Sequence, residues 1–145
     1  MRGYKKHPSL GAVALLGLLS LAALHVFAIE FYLYWFYWWL DILFHLLGGS
    51  FVGLAAIWFL KSFSSSFRST LEKRSVVVVF GSVFVIALLW ELFEHQIGCV
   101  DPSIGKDYWL DTFTDVIATL LGGALSLIVS FYSETFQIND GGFEK

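Results

Sequence analysis

The stretch VVVVFGSVFVIALLWELFEH, residues 76–95, is the clearest indicator of how this chain folds. Its first fifteen residues carry no charge, and then two glutamates and a histidine follow within five positions. A run of about 20 apolar residues is long enough to cross the roughly 30 Å hydrocarbon core of a bilayer. We therefore predict a membrane helix over residues 76–95 that ends in ionisable side chains.

The rest of the chain is equally apolar. Of its 145 residues, 57% are hydrophobic and 14% are charged, whereas a soluble domain contains about 25% charged residues. Three more apolar blocks reach the length of a membrane span, at residues 9–29, 37–60 and 111–131. Little sequence remains for a water-soluble domain. We predict an all-α polytopic membrane protein, a single four-transmembrane-helix bundle over residues 1–145.

The distribution of Lys and Arg predicts the orientation, because cytoplasmic segments of membrane proteins carry an excess of both. Eight of the nine lie in the N-terminal tail, the connection 61–75 or the C-terminal tail 132–145, and only Lys106 lies in the connection 96–110. We predict a multi-pass protein of the plasma (inner) membrane with both termini and loop 61–75 in the cytoplasm and loop 96–110 outside. Basic residues so few and so placed do not indicate nucleic-acid binding.

The first apolar block also fits a second interpretation, a cleaved signal peptide. Basic residues precede the block, and the small residue Ala28 lies near its end. Its apolar core is longer than the roughly 7–15 residues usual in signal peptides, which favours a retained helix. Both interpretations give the later helices the same orientation.

An aromatic run, FYLYWFYWW at residues 31–39, separates the first two predicted helices, and only Leu33 in it is not aromatic. Trp and Tyr are enriched at the headgroup level of membranes, so the run is typical of an interfacial belt. A stacking platform for a sugar or a lipid headgroup is the alternative interpretation.

A short internal repeat relates the second and fourth predicted helices. DILFHLLGG at residues 41–49 and DVIATLLGG at residues 115–123 share five of nine positions. Two helical hairpins related by an axis along the membrane normal would produce such a repeat. The glycines also have a simpler use, since small residues let membrane helices approach closely.

Ionisable side chains lie at the same, outer end of the second, third and fourth predicted helices. Within each helix they are three or four residues apart, which places them on one face. We expect these faces to turn inward and form one cluster, with His25 and Glu30 of the first helix as supporting groups. The predicted cluster consists of Asp41, His45, Glu91, Glu94, His95, Asp111 and Asp115.

Such a cluster requires neutralisation, because a charged side chain at the centre of a membrane helix costs about 2.5–3.5 kcal/mol on insertion scales. Carboxylates mixed with histidine suit Zn, Fe or Mn, and helical bundles build two-metal sites from such side chains. We predict that these seven residues bind one or two divalent metals. Two alternatives stay open: a structural network of hydrogen-bonded acids and histidines, and a proton or cation path.

If the protein is an enzyme, the simplest chemistry is attack of a metal-activated water on an ester or phosphoester of a lipid or envelope headgroup. Glu94 or His95 is then the predicted catalytic base. The predicted partners are the lipid bilayer and such a headgroup, and the sequence leaves a homo-oligomer open.

The order D-x-x-x-H…G-G, then W-E-x-x-E, then D-T-x-x-D…G runs through residues 38–124. This order resembles the uncharacterised YjdF-like family of bacterial inner-membrane proteins. It is more distantly similar to VanZ-like proteins, some of which are linked to glycopeptide resistance. The resemblance implies a shared polar site at three pairs of residues and no particular reaction. The pairs are Asp41 with His45, Glu91 with Glu94, and Asp111 with Asp115.

Overall fold

The structure, a computed structural model, describes residues 9–64, 69–97 and 105–140. The described chain is helical with short connections and contains no strand, so the all-α prediction is confirmed. The five helices are α1 (Leu10–Glu30), α2 (Leu33–Phe36), α3 (Trp39–Phe63), α4 (Lys73–Ile97) and α5 (Gly105–Asp140).

Four of these helices are long and apolar enough to cross a membrane: α1, α3, most of α4, and the Trp109–Glu134 part of α5. Their mean hydropathy over an 18-residue window lies between 1.9 and 2.5. Their outer surface is apolar too, as shown by exposed side chains such as Leu16, Leu89 and Ile128. An apolar exterior of this extent is the surface that lipid covers, so the predicted polytopic bundle is confirmed.

Helix α3 is the centre of the bundle, because α1, α4 and α5 all pack against it. Helices α3 and α5 run parallel to each other. At one end Asp41 and Asp115 lie in a common group of side chains, and at the other end Lys61 forms an ion pair of 2.7 Å with Glu134. We call these the acidic end and the Lys61 end of the bundle.

The α3–α5 contact brings two backbones together. A Cβ atom on Gly49 would overlap the backbone carbonyl group of Thr119, and one on Gly122 would overlap the carbonyl oxygen of Leu46. Only glycine leaves room for such an approach, and small residues serve the same purpose generally between membrane helices. These glycines therefore serve helix packing in the structure.

The two halves of the internal repeat, residues 41–49 and 115–123, face each other across this contact. If the two halves are related by an axis along the membrane normal, the helices that contain them must run parallel, as α3 and α5 do. The relation between the complete hairpins stays a prediction.

Helix α1 has its predicted length, and the other three membrane helices are longer than predicted, α5 most of all. Helix α5 continues to Asp140, through nine residues assigned to the tail 132–145. The apolar pattern fades there, but the extension has a tertiary partner. The Glu134 carboxylate accepts hydrogen bonds from the hydroxyl and the backbone N–H of Thr70, besides its ion pair with Lys61. These contacts stabilise helix beyond the membrane-length apolar block.

The aromatic run between α1 and α3 includes the short helix α2 and turns at Tyr32, whose φ of 55° lies in the left-handed region. Most of its rings are exposed, for example Trp35 at 88% and Trp38 at 77%. This agrees with the interfacial belt. Tyr34 is the exception, since its hydroxyl lies 2.6 Å from Nδ1 of His25.

The close α3–α5 contact yields a stability prediction. Replacing Gly49 with alanine forces the two backbones apart, and overpacking of this kind costs about 1–3 kcal/mol. We expect Gly49→Ala to lower the midpoint of thermal unfolding in detergent. The matched control is Gly81→Ala in α4, where a Cβ would meet no atom within 4 Å. Equal midpoints for the two variants would contradict the close contact.

Candidate metal centre

His45 lies at the centre of the acidic end. It projects from the second turn of α3 and only 5% of it is exposed. Its Nε2 atom faces three carboxylates from two helices, at 3.8 Å from Oδ1 of Asp41, 3.9 Å from Oε1 of Glu91 and 4.0 Å from Oε2 of Glu94. All three distances exceed the 2.7–3.2 Å of an ordinary hydrogen bond. The imidazole thus points at the acids without bonding to any of them.

Thr119 of α5 fixes the orientation of this ring. Its Oγ1 lies 3.1 Å from Nδ1 of His45 and 2.7 Å from the backbone carbonyl oxygen of Asp115. A hydroxyl has one proton, and the carbonyl of Asp115 can only accept it. The bond to His45 must therefore run from Nδ1–H to the threonine oxygen. In a neutral ring, Nε2 then has no proton and presents its lone pair to the carboxylates.

Three buried atoms in the described part of the acidic end have no hydrogen-bond partner. Among the described residues, Nε2 of His45, Oε1 of Glu91 and Oδ1 of Asp115 are fully buried and have no hydrogen-bond partner. A buried polar atom without a partner costs about 1–3 kcal/mol, and more when it is charged. Each of the three atoms can be satisfied by a positive centre, either a proton or a metal ion.

The spacing between Nε2 of His45 and the carboxylate oxygens of Asp41, Glu91 and Glu94 suits a metal ion. Metal bonds to imidazole nitrogen or carboxylate oxygen are about 2.0–2.2 Å long, so two ligands of one ion lie at most about 4.2 Å apart. The three distances from Nε2 fall within this limit. Two overlapping groups have ligand atoms within 4.8 Å of one another: Asp41, His45 and Asp115 form one, and His45, Glu91 and Glu94 form the other.

His45 belongs to both groups but has one nitrogen to offer. Because Nδ1 is engaged by Thr119, Nε2 is the atom that remains for an ion. A ligating histidine in proteins ordinarily donates its other ring N–H to a fixed acceptor, and Thr119 is that acceptor here. One ion can therefore include the imidazole, and a second ion would have carboxylates as its protein ligands.

The structure brings five of the seven predicted residues together and places the other two apart. Asp111 and His95 are exposed and belong to neither group. Asp111 lies one helical turn before Asp115, close enough to Asp41 for their charges to interact. His95 follows Glu94 directly, which turns it about 100° around the helix axis from that residue. These two positions form the rim of the cluster.

Thr119 was missed by the sequence analysis, although two signals mark it. It lies four residues after Asp115, on the same face of α5, and it occupies the position of the repeat that His45 occupies in α3. The two equivalent positions thus meet in one hydrogen bond.

Of the two supporting residues predicted on α1, His25 is buried and Glu30 is exposed. The ring of His25 lies among three aromatic side chains, with centroids 5.6 Å from Tyr34, 6.0 Å from Phe44 and 5.0 Å from Trp90. Its Nε2 atom is buried and has no hydrogen-bond partner among the described residues. His25 therefore lies beside the cluster, in an aromatic enclosure.

Comparison with known proteins gives one family. No curated protein and no solved structure matches the sequence. A family model described as "Predicted membrane protein (DUF2238)" matches residues 3–135, which include all four spans and all five clustered side chains. The chain belongs to this DUF2238 family of membrane proteins.

Proposed function

We propose that the acidic end binds a divalent metal and uses it to hydrolyse or modify a lipid or envelope headgroup. The observation that carries the proposal is Nε2 of His45, a buried nitrogen that faces three carboxylates and has no hydrogen-bond partner among the described residues. A cation at the centre of these acceptor atoms would satisfy them. We also propose that the chain is related to YjdF-like proteins and, more distantly, to VanZ-like proteins.

The ion is held by His45, Glu91 and Glu94, with Asp41 and Asp115 beside it. One nitrogen and several carboxylate oxygens are the ligand set of Zn, Fe or Mn, whereas Mg and Ca sites consist of oxygen. Two carboxylates neutralise the charge of one divalent ion. Asp41 and Asp115 remain to bind a second ion or to take up a proton.

The position of the site suits a substrate at the membrane surface. His45 lies six residues from the start of α3, a depth of about 9 Å. Because eight of the nine basic residues lie in segments predicted to be cytoplasmic, this end faces outward. At this depth the cluster lies near the headgroups of the outer leaflet, so a lipid headgroup can reach it.

The reaction would use water as nucleophile. A metal of this class, when held by these residues, would activate that water and polarise the ester or phosphoester bond that it attacks. Because Glu94 is placed among the ligands of the ion, Asp41 or Asp115 would take the proton of the water. Glu94, the base that the sequence predicts, would do so only if His45 and Glu91 alone held the ion. His95 is one residue away on the exposed rim, from where it can exchange protons with the outside.

Metal analysis of detergent-purified protein tests the site. We expect wild-type protein to hold one or two equivalents of Zn, Fe or Mn that chelation removes, since His45 offers a nitrogen to one ion and carboxylates remain for a second. His45→Ala should lose this metal and unfold at a lower temperature, because metal binding contributes to folding. His95→Ala, which removes an exposed imidazole from the neighbouring helix, is the control and should keep both.

Two other results would contradict the metal site, each in a different way. Metal-free protein with a proton flux in liposomes that Asp115→Asn abolishes would favour a proton path. A Glu91→Gln, Asp115→Asn double variant with wild-type stability and unchanged metal content would leave the acids as a structural network. That network tolerates amides, since they keep shape and most hydrogen-bonding capacity without a charge to bury.

The hydrogen bond from His45 to Thr119 can be tested separately. Thr119→Val keeps the shape but removes the acceptor of Nδ1–H, and loss of such a supporting contact typically weakens metal binding about 10–100-fold. Metal titration should show this loss. Thr114→Val is the matched control, because the Thr114 hydroxyl also bonds a carbonyl four residues earlier, that of Leu110, but lies outside the cluster. Equal affinities in the two variants would refute the orienting role.

Cysteine labelling tests the outward orientation. A cysteine at position 65, in the connection 61–75, should react with an impermeant maleimide only after the inner side is opened. Native Cys99, in the connection 96–110, should react in intact cells. Labelling of Ser65→Cys in intact cells would reverse the topology and place the metal site on the cytoplasmic side.

A further inference from the structure

A cavity of about 130 Å³ lies beside the cluster, between α1, α3 and α4. On α3 its wall runs from Asp41 to Val52, about 16 Å along the helix axis. The wall is apolar over most of this length and includes Leu21 of α1, Ile86 of α4, and Phe44 and Val52 of α3. The cavity is thus elongated along the helices and lies within the membrane spans.

The backbones of α1 and α4 are separated beside the cavity. Helices α1 and α4 both pack on α3, yet no Cα atom of one comes within 8 Å of a Cα atom of the other in the described helices. Ala22 on one side and Ile86 on the other are exposed. The two helices meet through side chains at the acidic end, where the rings of His25 and Trp90 are 5.0 Å apart. Below that contact the gap between α1 and α4 faces the bilayer.

The acidic end of the cavity is polar. Asp41, His45 and Thr119 line it there, together with His25. His25 is 7% exposed, its Nδ1 is held by the hydroxyl of Tyr34, and its Nε2 is buried without a partner. A buried ring nitrogen without a partner can bond one polar group that reaches it. The cavity is therefore an apolar slot that has Asp41 and His45 of the proposed metal site in its wall at one end and the ring of His25 beside them.

We propose that this cavity binds one acyl chain of a phospholipid, which enters between α1 and α4 and directs its headgroup to the cluster. His25 Nε2 bonds an oxygen of the region that links chain and headgroup. This inference deepens the proposed function by naming its substrate class, and the fate of the headgroup rests on that function. The binding of the chain does not rest on it.

The dimensions and the charge support this ligand. An apolar cavity of about 150 Å³ holds a benzene molecule, so the cavity takes a chain segment of similar bulk, and the rest of the chain extends through the gap into the bilayer. A zwitterionic lipid has no net charge and meets less repulsion from the acids than an anionic lipid does. Phosphatidylethanolamine is therefore the appropriate probe.

The experiment uses phosphatidylethanolamine with a photoactivatable diazirine in one acyl chain. The probe is reconstituted with the full chain in liposomes, irradiated, and its adducts are mapped by mass spectrometry. We expect adducts on Leu21, Phe44 and Ile86 that excess unlabelled lipid removes, against a background on lipid-facing Leu88 and Val85 that it removes less. Competition at the cavity distinguishes a site from the surrounding lipid.

Two glycine variants test whether the cavity holds the chain, one that fills the cavity and one that serves as its control. A Cβ on Gly48 would meet only Leu21, at 3.6 Å, so the leucine in Gly48→Leu can enter the cavity without disturbing a helix contact. We expect this variant to lose cavity adducts about tenfold, because its side chain takes the space of the lipid chain. Gly81→Leu adds the same side chain where a Cβ meets no atom within 4 Å, and should keep them.

Metal content measured on the same samples separates this inference from the proposed function. Gly48→Leu should keep its metal, because Gly48 is not a ligand. Cavity adducts that persist in metal-free His45→Ala protein would support the slot. The metal reaction is contradicted only if wild-type protein is also metal-free. Adducts spread evenly over exposed and cavity residues, or unchanged in Gly48→Leu, would overturn the slot whatever the metal content.

Discussion

The close approach of α3 and α5 is the constraint on which the acidic end depends. Gly49 and Gly122 allow two backbones to meet where a larger residue would hold them apart. Because the helices are parallel, this contact fixes their relative height as well as their distance. Thr119 is thereby placed next to His45, and Asp115 is placed in the same group as Asp41. The chemistry at one end of the bundle follows from glycine packing in its middle.

Sequence reasoning was strong where the membrane itself imposes a rule. A helix that crosses a bilayer must be apolar over about 20 residues and satisfy its own backbone, so each of the four blocks could be recognised without tertiary information. Helix ends depend on partners from elsewhere in the chain. The extension of α5 past Phe131 is stabilised by Lys61 and Thr70, which no local pattern near Glu134 indicates.

The same distinction applies to the site. Helical spacing identified which residues share a face, and it found the five that the structure groups together. Helical spacing does not indicate how far around α4 the buried face extends, and this decides that Glu94 is buried and His95 exposed. Nor does it indicate how far along α5 the neighbouring helices reach, and this decides that Asp115 is buried and Asp111 exposed. The tautomer of His45 was out of reach, because it depends on a threonine 74 residues away and on the single proton of its hydroxyl.

Helix α1 stands apart from this arrangement. It contributes none of the five grouped side chains, and it packs on α3 and α2 without its backbone approaching α4 or α5. The mutual distances of the five grouped side chains therefore do not depend on how α1 tilts on the surface of α3. Such a tilt would widen or narrow the gap beside His25 and Trp90. The fold thus divides into three helices that carry the acidic end, α3, α4 and α5, and a side wall, α1, which is seated on α3 where Gly11 and Gly17 lie against the rings of Trp58 and Phe51.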